Sequence, residues 1–303
     1  MICLYTIAAL VLFEILPGLA QHENQAVLED NTSQSQCTSN DIIKLNVAGC
    51  TCPEPNTDCS HFKYVCAGQS FPANSGLQTG STCGEGSNSA SCKSCYIWSH
   101  GFCSCVQNIL AKKTTNCKSS PSLQSGVDTI WMLNEGRDLI TINKPVPGIL
   151  ELSSLPSTPI DYRNVGWRLG QSVSNRTSNA LAMNSALRRS EEQIHIHVCD
   201  VFQYGNSGQT RDMLTSLKKS DYTTLKKVVK SGLEMEMFCR VSSSKNLPSK
   251  GAIIDIADDI ADILKRQDIC RYQVGAGIVT DNDDYTWACV TTGSNAAESI
   301  FCR

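Results

Sequence analysis

Basic residues are few in this sequence, and they do not cluster. The 303 residues include 26 lysines and arginines against 29 aspartates and glutamates, which gives a formal net charge of −3. No run of Lys or Arg is long enough to form a cationic patch, so nucleic acid is not an expected partner. After the first twenty residues there is also no apolar stretch of the length that a bilayer-spanning helix needs. The composition therefore disfavours nucleic-acid-binding and multispanning membrane proteins.

The N-terminal stretch MICLYTIAALVLFEILPGLA is the exception to this lack of long apolar runs. Its apolar part is followed by Pro17 and a small-residue end, a pattern that predicts a secretory signal peptide over residues 1–20 with cleavage near Ala20. The alternative is an uncleaved N-terminal anchor. Sequons at Asn31 and Asn175 fit a glycoprotein. We therefore expect a protein that is secreted, or that stays in the lumen of the secretory pathway, peripheral to the membrane if it contacts one.

Cysteine, by contrast, is abundant. The chain has 17 cysteines, and 16 remain once the signal peptide is removed, an even number that is typical of an oxidising compartment. Eleven of them lie between Cys37 and Cys117, in a segment with few apolar residues, so cross-links are expected to hold that segment together. Because eleven is odd, we expect one of them to pair with a later cysteine or to remain free. Close pairs such as Cys50 and Cys52 leave zinc binding as a less favoured alternative.

Composition and periodicity divide the chain into a signal peptide (1–20), a cysteine-rich segment (21–117), a linker (118–126) and a folded domain (127–303). Pairs of β-rich runs, one around Glu135-Gly136 and one around the turn Asp281-Asn282-Asp283, predict hairpins over 129–144 and 272–293. A helix is expected to start near Tyr162, another at Ser220 or Asp221, and a third along the isoleucines of 253–264. Hairpins that alternate with helices predict an α+β fold, with an antiparallel sheet and flanking helices.

The stretch RRSEEQIHIHVCD, residues 188–200, contains the candidate chemistry. Side chains alternate between the two faces of a strand, so one face is predicted to be polar. That face carries Gln193, His195, His197 and Cys199. The chain has five histidines, and His195 and His197 are the only ones after His100. A half-buried structural strand is the simplest interpretation, but two scarce imidazoles on one face favour a functional site.

Two chemistries could use this pair of histidines. A metal site would take His195, His197 and Cys199 as ligands, although one strand alone does not close a tetrahedral shell. Nucleophilic phosphoryl chemistry would use one neutral imidazole to attack phosphorus, while the other contacts a phosphate or leaving oxygen. Such a site also needs groups that bind phosphate charge. The candidates for that role are Arg188, Arg189, Asn184, Ser185 and Ser190.

The longer stretch LAMNSALRRSEEQIHIHVCD resembles the active-site segment of CDP-diacylglycerol pyrophosphatases (CDP-diacylglycerol hydrolases), which are similar to the histidine-triad (HIT) superfamily. The resemblance extends over about residues 127–302. It implies a HIT-like fold and hydrolysis of a nucleotide-lipid pyrophosphate to CMP and phosphatidate through a phosphohistidine. It further implies that His195 is the nucleophile, that His197 contacts the phosphate or leaving group, and that Gln193 borders the substrate. No cofactor or metal is implied.

The sequence departs from this family pattern at several positions. Gln193 stands where the triad has its first histidine, Arg188 stands where a small residue is usual, and Glu191 brings a carboxylate close to a site for pyrophosphate. These departures leave open a secreted, catalytically silent HIT-like binding or effector protein. In that case the cysteine-rich segment would be the module that binds a protein partner. With a lipid substrate, contact with the membrane surface would have to be interfacial.

Overall fold

The backbone is organised around one antiparallel sheet. The computed structural model describes residues 34–53, 100–123, 127–134, 138–174, 179–189, 193–201, 206–245 and 253–302, all of which belong to one compact unit, Gln34–Arg303. The strands found in these residues are β1 (Lys118–Ser120), β2 (Trp131–Asn134), β3 (Leu139–Ile142), β4 (Asn179–Met183), β5 (His195–Asp200), β6 (Lys226–Lys230), β7 (Leu233–Lys245), β8 (Gly275–Thr280) and β9 (Tyr285–Thr291). Their order in the sheet is β1-β2-β3-β5-β4-β8-β9-β7-β6, and each neighbouring pair is antiparallel.

Helices lie on both sides of this sheet. They are α1 (Ser39–Ile43), α2 (Cys103–Leu110), α3 (Tyr162–Val173), α4 (Asn206–Ser216), α5 (Ala257–Leu264) and α6 (Ala297–Phe301), with short 3-10 helices at Ile149–Ser154, Lys219–Tyr222 and Arg271–Gln273. The predicted α+β class with an antiparallel sheet is confirmed.

One face of the sheet packs against α3, α5 and the 3-10 helix Ile149–Ser154. Trp131 and Trp167 are fully buried in this layer, together with Ile196 of β5. The indole Nε1 of Trp131 donates a hydrogen bond to the carbonyl of Tyr162 at 2.7 Å, and this bond joins β2 to the start of α3. Gly166 is required in α3, because a Cβ there would lie 2.6 Å from the Trp131 ring. This layer is the main core, and it buries the face of β5 that carries Ile196.

The opposite face has two covers, with β5 between them. Over β4, β8, β9 and β7 the cover consists of α4 and α6, which bury Ala182 and Trp287. Over β2 it is the described part of the cysteine-rich segment, in which Ile42 and Phe102 pack with Met132. In the sheet order β5 separates these two regions. On this face of the sheet, the strand with the histidines therefore lies between the region covered by α4 and α6 and the region covered by the cysteine-rich segment.

Five disulfides join described cysteines. They are Cys37–Cys50, Cys52–Cys103, Cys105–Cys117, Cys199–Cys302 and Cys239–Cys289. Cys270 is also disulfide-bonded, and because the other ten described cysteines pair with one another, its partner lies outside the described residues. The covalent tie expected between the cysteine-rich segment and the later chain stays a prediction, and Cys270 is the residue that would form it.

Several predictions about local structure can be compared directly with the strands and helices. The hairpins β2–β3 and β8–β9, the histidine strand β5 and helix α3 form where they were expected. The isoleucine stripe is helical only from Ala257 to Leu264, within α5. The linker prediction was wrong for Lys118–Ser120, which forms strand β1 and pairs with β2.

The prediction of a helix that begins at Ser220 or Asp221 was also wrong. One 3-10 turn, Lys219–Tyr222, is followed by the hairpin of β6 and β7. Ser231 and Gly232 connect the two strands with positive φ angles of 52° and 80°, the backbone of a tight hairpin turn. Lys226–Lys230 extends because its central Val228 is β-branched and packs into the sheet core.

Candidate functional site

His195 is the first residue of β5, and its surroundings fix its protonation state. The side chain is 5% exposed, and its Nδ1 lies 2.7 Å from the carbonyl oxygen of Gln193. A carbonyl only accepts, so Nδ1 carries the hydrogen, and in the neutral ring Nε2 has the lone pair. Burial, followed by the nearby His197 and Arg189, lowers the pKa of His195 from 6.5 to about 3. His195 is therefore a neutral imidazole at pH 7, with its lone pair on Nε2.

The side chain of Gln193 connects the start of β5 to the neighbouring strand β3. Its side-chain Nε2 lies 3.2 Å from Thr141 Oγ1, 3.1 Å from the carbonyl oxygen of Ile142 and 3.0 Å from that of Lys144, so it donates to the end of β3 and the loop after it. Thr141, which is opposite His195 in the sheet, donates its hydroxyl hydrogen to the carbonyl of Ile194 at 2.6 Å. The side-chain nitrogen of Gln193 thus joins the residues just before β5 to β3 and the loop after it, rather than pointing toward a ligand.

Arg189 places a buried cation beside His195. Its side chain is 4% exposed, and Nη1 lies 3.9 Å from Oε2 of Glu151, a carboxylate that is 13% exposed. Gly148 allows this arrangement, because a Cβ there would lie 2.2 Å from Nη1 of Arg189. Arg189, Gly148 and His195 line one small cavity of about 10 Å³, together with Pro147, Ile149, Met183, Asn184, Gln193 and Ile194. This volume is about that of one water molecule.

His197 follows on the same face of β5. Its ring centroid is 5.0 Å from that of His195, and the two rings meet edge to face. Nε2 of His197 lies 3.8 Å from Oε2 of Glu298, on α6. The predicted shared face of the two histidines is therefore present, and a carboxylate from the far end of the chain lies beside it.

Asn184 connects this region to α6. Its Oδ1 accepts a hydrogen bond from the backbone N–H of Glu298 at 3.0 Å, so it satisfies an amide in the first turn of that short helix. Ser185, which is buried, accepts the backbone N–H groups of Arg188 and Arg189 at its carbonyl, at 3.0 and 2.9 Å. In this structure the side chain of Asn184 positions the first turn of α6, and the carbonyl of Ser185 positions the backbone of Arg188 and Arg189.

The remaining predicted residues are dispersed. The guanidinium of Arg188 donates a hydrogen bond to the carbonyl of Ser294, in the loop before α6, while Arg189 alone reaches the His195 cavity. Ser190 and Glu191 lie outside the described residues. Cys199 forms a disulfide with Cys302, and a bridged sulfur is not a thiolate ligand, so the proposed His195–His197–Cys199 metal site is excluded. The Sγ atoms of Cys37, Cys52 and Cys103 lie close together, but they too belong to disulfides.

Sequence reasoning missed Glu151 and Glu298. Glu298 is more than a hundred positions away from His197, and Glu151 lies in a 3-10 helix that the sequence did not predict. Neither residue belongs to a short motif, and only the folded sheet and its covers bring them to the site. The acidic group expected near the histidines was Glu191; the structure adds two others.

In the part of the chain that the structure describes, the fold and site are those of an α+β protein with one antiparallel sheet and a buried, neutral histidine beside a buried arginine. No protein-family model matches the chain, and a search of curated proteins finds no match either.

None of the helices in the described ranges combines the length and the apolar character that are needed to cross a bilayer. The disulfides are compatible with a secreted or lumenal protein.

Proposed function

We propose that the chain is a HIT-like hydrolase of phosphoric anhydrides that cleaves CDP-diacylglycerol, or a related nucleoside diphosphate compound, into CMP and phosphatidate. The observation that carries the proposal is the fixed tautomer of His195. Its Nδ1–H is donated to the carbonyl of Gln193, and its lowered pKa keeps Nε2 unprotonated at neutral pH. A buried imidazole with a directed lone pair is what nucleophilic attack on phosphorus requires.

In the proposed reaction, Nε2 of His195 attacks the phosphorus of the cytidylyl group. A P–N bond forms as the bond from phosphorus to the bridging oxygen breaks, and phosphatidate leaves with its electron pair. His197, 5.0 Å away between ring centroids, is the group that would contact the phosphate or the leaving oxygen. Water then attacks the phosphorus, the P–N bond breaks, CMP is released and the neutral imidazole is regenerated. The atoms balance without a cofactor.

Arg189 would supply positive charge for the pyrophosphate. It is the one predicted cation that lines the His195 cavity, and Glu151 lies 3.9 Å from it and balances its charge. A phosphate oxygen that replaces Glu151 as the partner of Arg189 would make a charge-assisted hydrogen bond. Gln193 and Asn184 then act through the backbone that they hold, rather than by touching substrate.

A catalytically silent binding or effector protein is the second candidate, and the small cavity favours it. About 10 Å³ beside His195 does not admit a phosphate group, so turnover needs the loops around Gly148 and Asn184 to move apart. In addition, Glu298 places a carboxylate 3.8 Å from His197, where an anionic substrate would approach. A protein that only binds a partner would need no such opening.

The test is CMP release from CDP-diacylglycerol in mixed micelles by the full-length secreted protein, compared with His195→Ala. We expect the substitution to reduce turnover by more than about a thousandfold, as removal of a nucleophile does. The matched control is His100→Ala, because that half-buried histidine lies in the cysteine-rich segment, where its Nδ1 is 3.0 Å from the carbonyl oxygen of Pro53. His100→Ala should keep the wild-type rate.

Three results separate the candidates. Trapping an acid-labile, base-stable phosphoryl adduct on His195 would support the nucleophile. Equal turnover by wild type and His195→Ala would remove His195 from the mechanism. No turnover by wild type with CDP-diacylglycerol, or with a panel of nucleoside diphosphate esters, would favour the silent binding protein.

A further inference from the structure

A much larger cavity, of about 550 Å³, lies on the same face of the sheet but away from the histidines. It is an open cleft bordered by α4, α6, strands β6 and β7 and the chain that follows β9. The residues that line it are Asn206, Gln209, Thr210, Met213, Lys230, Met235, Glu236, Met237, Gly293, Asn295, Ser299 and Ile300. This volume is typical of small-molecule sites. We refer to it as the methionine cavity.

The floor of the methionine cavity is aliphatic and adaptable. Met213, Met235 and Met237 line it, which is half of the six methionines in the whole chain. Met213 and Met237 are buried, while Met235 is half-buried and faces the open space. None of the described residues that line the cavity is aromatic. Unbranched thioether side chains accommodate flexible apolar ligands, and a hydrocarbon chain is the chemistry that suits this floor.

The rim of the methionine cavity is polar and rich in donors. It carries one ammonium group, Lys230, and the three carboxamides of Asn206, Gln209 and Asn295, against the single carboxylate of Glu236. Within the described residues, none of these four donor side chains makes a hydrogen bond to another group of the protein. Because each carboxamide accepts as well as donates, these three side chains suit any polar head group, and the preference for negative charge rests on the ammonium of Lys230.

We propose that the methionine cavity is a binding site for a single-chain anionic amphiphile, with its alkyl chain on the methionine floor and its carboxylate or phosphate head at Lys230. This goes beyond the proposed hydrolase activity, because a catalytically silent protein could hold such a ligand equally well. The site is adjacent to the histidines across α6. Glu298 of that helix lies near His197, whereas its neighbours Ser299 and Ile300 line the methionine cavity.

The experiment is isothermal titration of the full-length secreted protein with tetradecanoate, below its micelle concentration. Butanoate supplies the same head without the chain, and tetradecanol supplies the chain without the charge. We expect saturable binding of tetradecanoate at one site, weaker binding of tetradecanol and no detectable binding of butanoate. Absence of saturable tetradecanoate binding, or equal affinity for butanoate, would overturn the proposal.

Two matched pairs of variants locate the site. Thr210→Trp fills the methionine cavity from α4 and should weaken tetradecanoate binding by about tenfold or more, whereas Ser216→Trp, exposed on the same helix outside the cavity, should change it less than about twofold. Gln209→Trp, an exposed substitution in the lining, serves if Thr210→Trp does not fold. Wild-type affinity in every lining variant that folds would place the ligand elsewhere and contradict the proposal.

Charge recognition is tested by Lys230→Glu against Lys226→Glu, on the same strand but outside the methionine cavity. The first should weaken tetradecanoate by about tenfold and leave tetradecanol unchanged, while the second should leave both unchanged. Equal effects of the two variants would reject Lys230 as the head-group contact. CMP release is assayed in parallel, so that binding without turnover rejects the hydrolase alone, and turnover without binding rejects only the amphiphile site.

Discussion

The histidine region and the methionine cavity lie on the same face of one sheet, and they differ in almost every physical respect. Beside His195 the space is about 10 Å³, and Arg189, which lines it, already lies 3.9 Å from the carboxylate of Glu151. The methionine cavity has about 550 Å³, a flexible floor and polar side chains at the rim. Reactive groups and room for a ligand are thus found in different places, and α6 separates them. We therefore expect substitutions to lower the free energy of unfolding more in the histidine region than in the methionine cavity.

The strongest test of this contrast is the loss of charge from each region. Arg189→Met removes the cation that lies 3.9 Å from Glu151 and leaves that carboxylate in a buried setting. We expect it to lower the free energy of unfolding by about 3 kcal/mol, as broken buried ion pairs do. Lys230→Met at the rim, which is exposed, should change the same quantity by less than about 0.5 kcal/mol. Urea denaturation measures both.

A double substitution shows whether the cost comes from the buried carboxylate of Glu151. Arg189→Met combined with Glu151→Leu should recover a large part of the loss, because an apolar pair of similar volume replaces the ion pair. If the double variant is as unstable as Arg189→Met, or if Lys230→Met is equally destabilising, the two regions do not differ in the way described.

The second test uses pH. The folded pKa of His195 is lowered to about 3, while the unfolded residue titrates near 6.5. The unfolded chain therefore binds the proton more tightly, and the stabilising contribution is complete above pH 6.5 and declines as pH falls toward 3. Between pH 7 and pH 5, we expect wild type to lose roughly 2 kcal/mol more of its unfolding free energy than His195→Asn.

The matched control for this pH dependence lies in the other region. Met213→Leu conserves the volume of a cavity residue and introduces no titrating group, so its loss between pH 7 and pH 5 should equal that of wild type. Denaturant titrations at several pH values give the slope of the unfolding free energy against pH for each variant. Parallel slopes for wild type and His195→Asn would mean that His195 does not remain neutral in the folded protein.

The third test concerns α6, the helix between the two regions, where a small effect is expected. Glu298→Gln removes the carboxylate that lies 3.8 Å from His197 but keeps the backbone N–H that Asn184 accepts. The free energy of unfolding should change by less than about 1 kcal/mol, since the pair is partly exposed. Tetradecanoate affinity should also stay within about twofold of wild type. A larger fall in affinity would show that α6 couples the two regions.

Local patterns in the sequence predicted local structure well. The β-rich runs in 129–144 and 272–293 were enough to place β2, β3, β8 and β9, and the alternation of polar and apolar residues was enough to place β5. The shared face of His195 and His197 followed from the same period. Lys226–Lys230 was misassigned because its lysines mask the alternation, although the Ser231–Gly232 pair that follows it is a turn signal.

The surroundings of the histidines were beyond the reach of such patterns. Glu298 reaches His197 only after the chain has crossed the sheet four more times, and Arg189 meets Glu151 through a 3-10 helix that precedes it by more than thirty positions. The lowered pKa of His195 depends on burial beneath these elements, which no short motif encodes. The methionine cavity likewise combines α4, α6 and β7, three segments that carry no common pattern.

The disulfide between Cys199 and Cys302 fastens the end of the histidine strand to the end of the described chain and closes a ring of the residues between them. A protease that cuts at the exposed turn of Ser231 and Gly232 would therefore open the ring without releasing a fragment. The nicked protein should migrate as a single band on a non-reducing gel and separate into pieces only after reduction. The disulfide would therefore keep the histidine strand covalently joined to the end of the described chain after the backbone between them is cut.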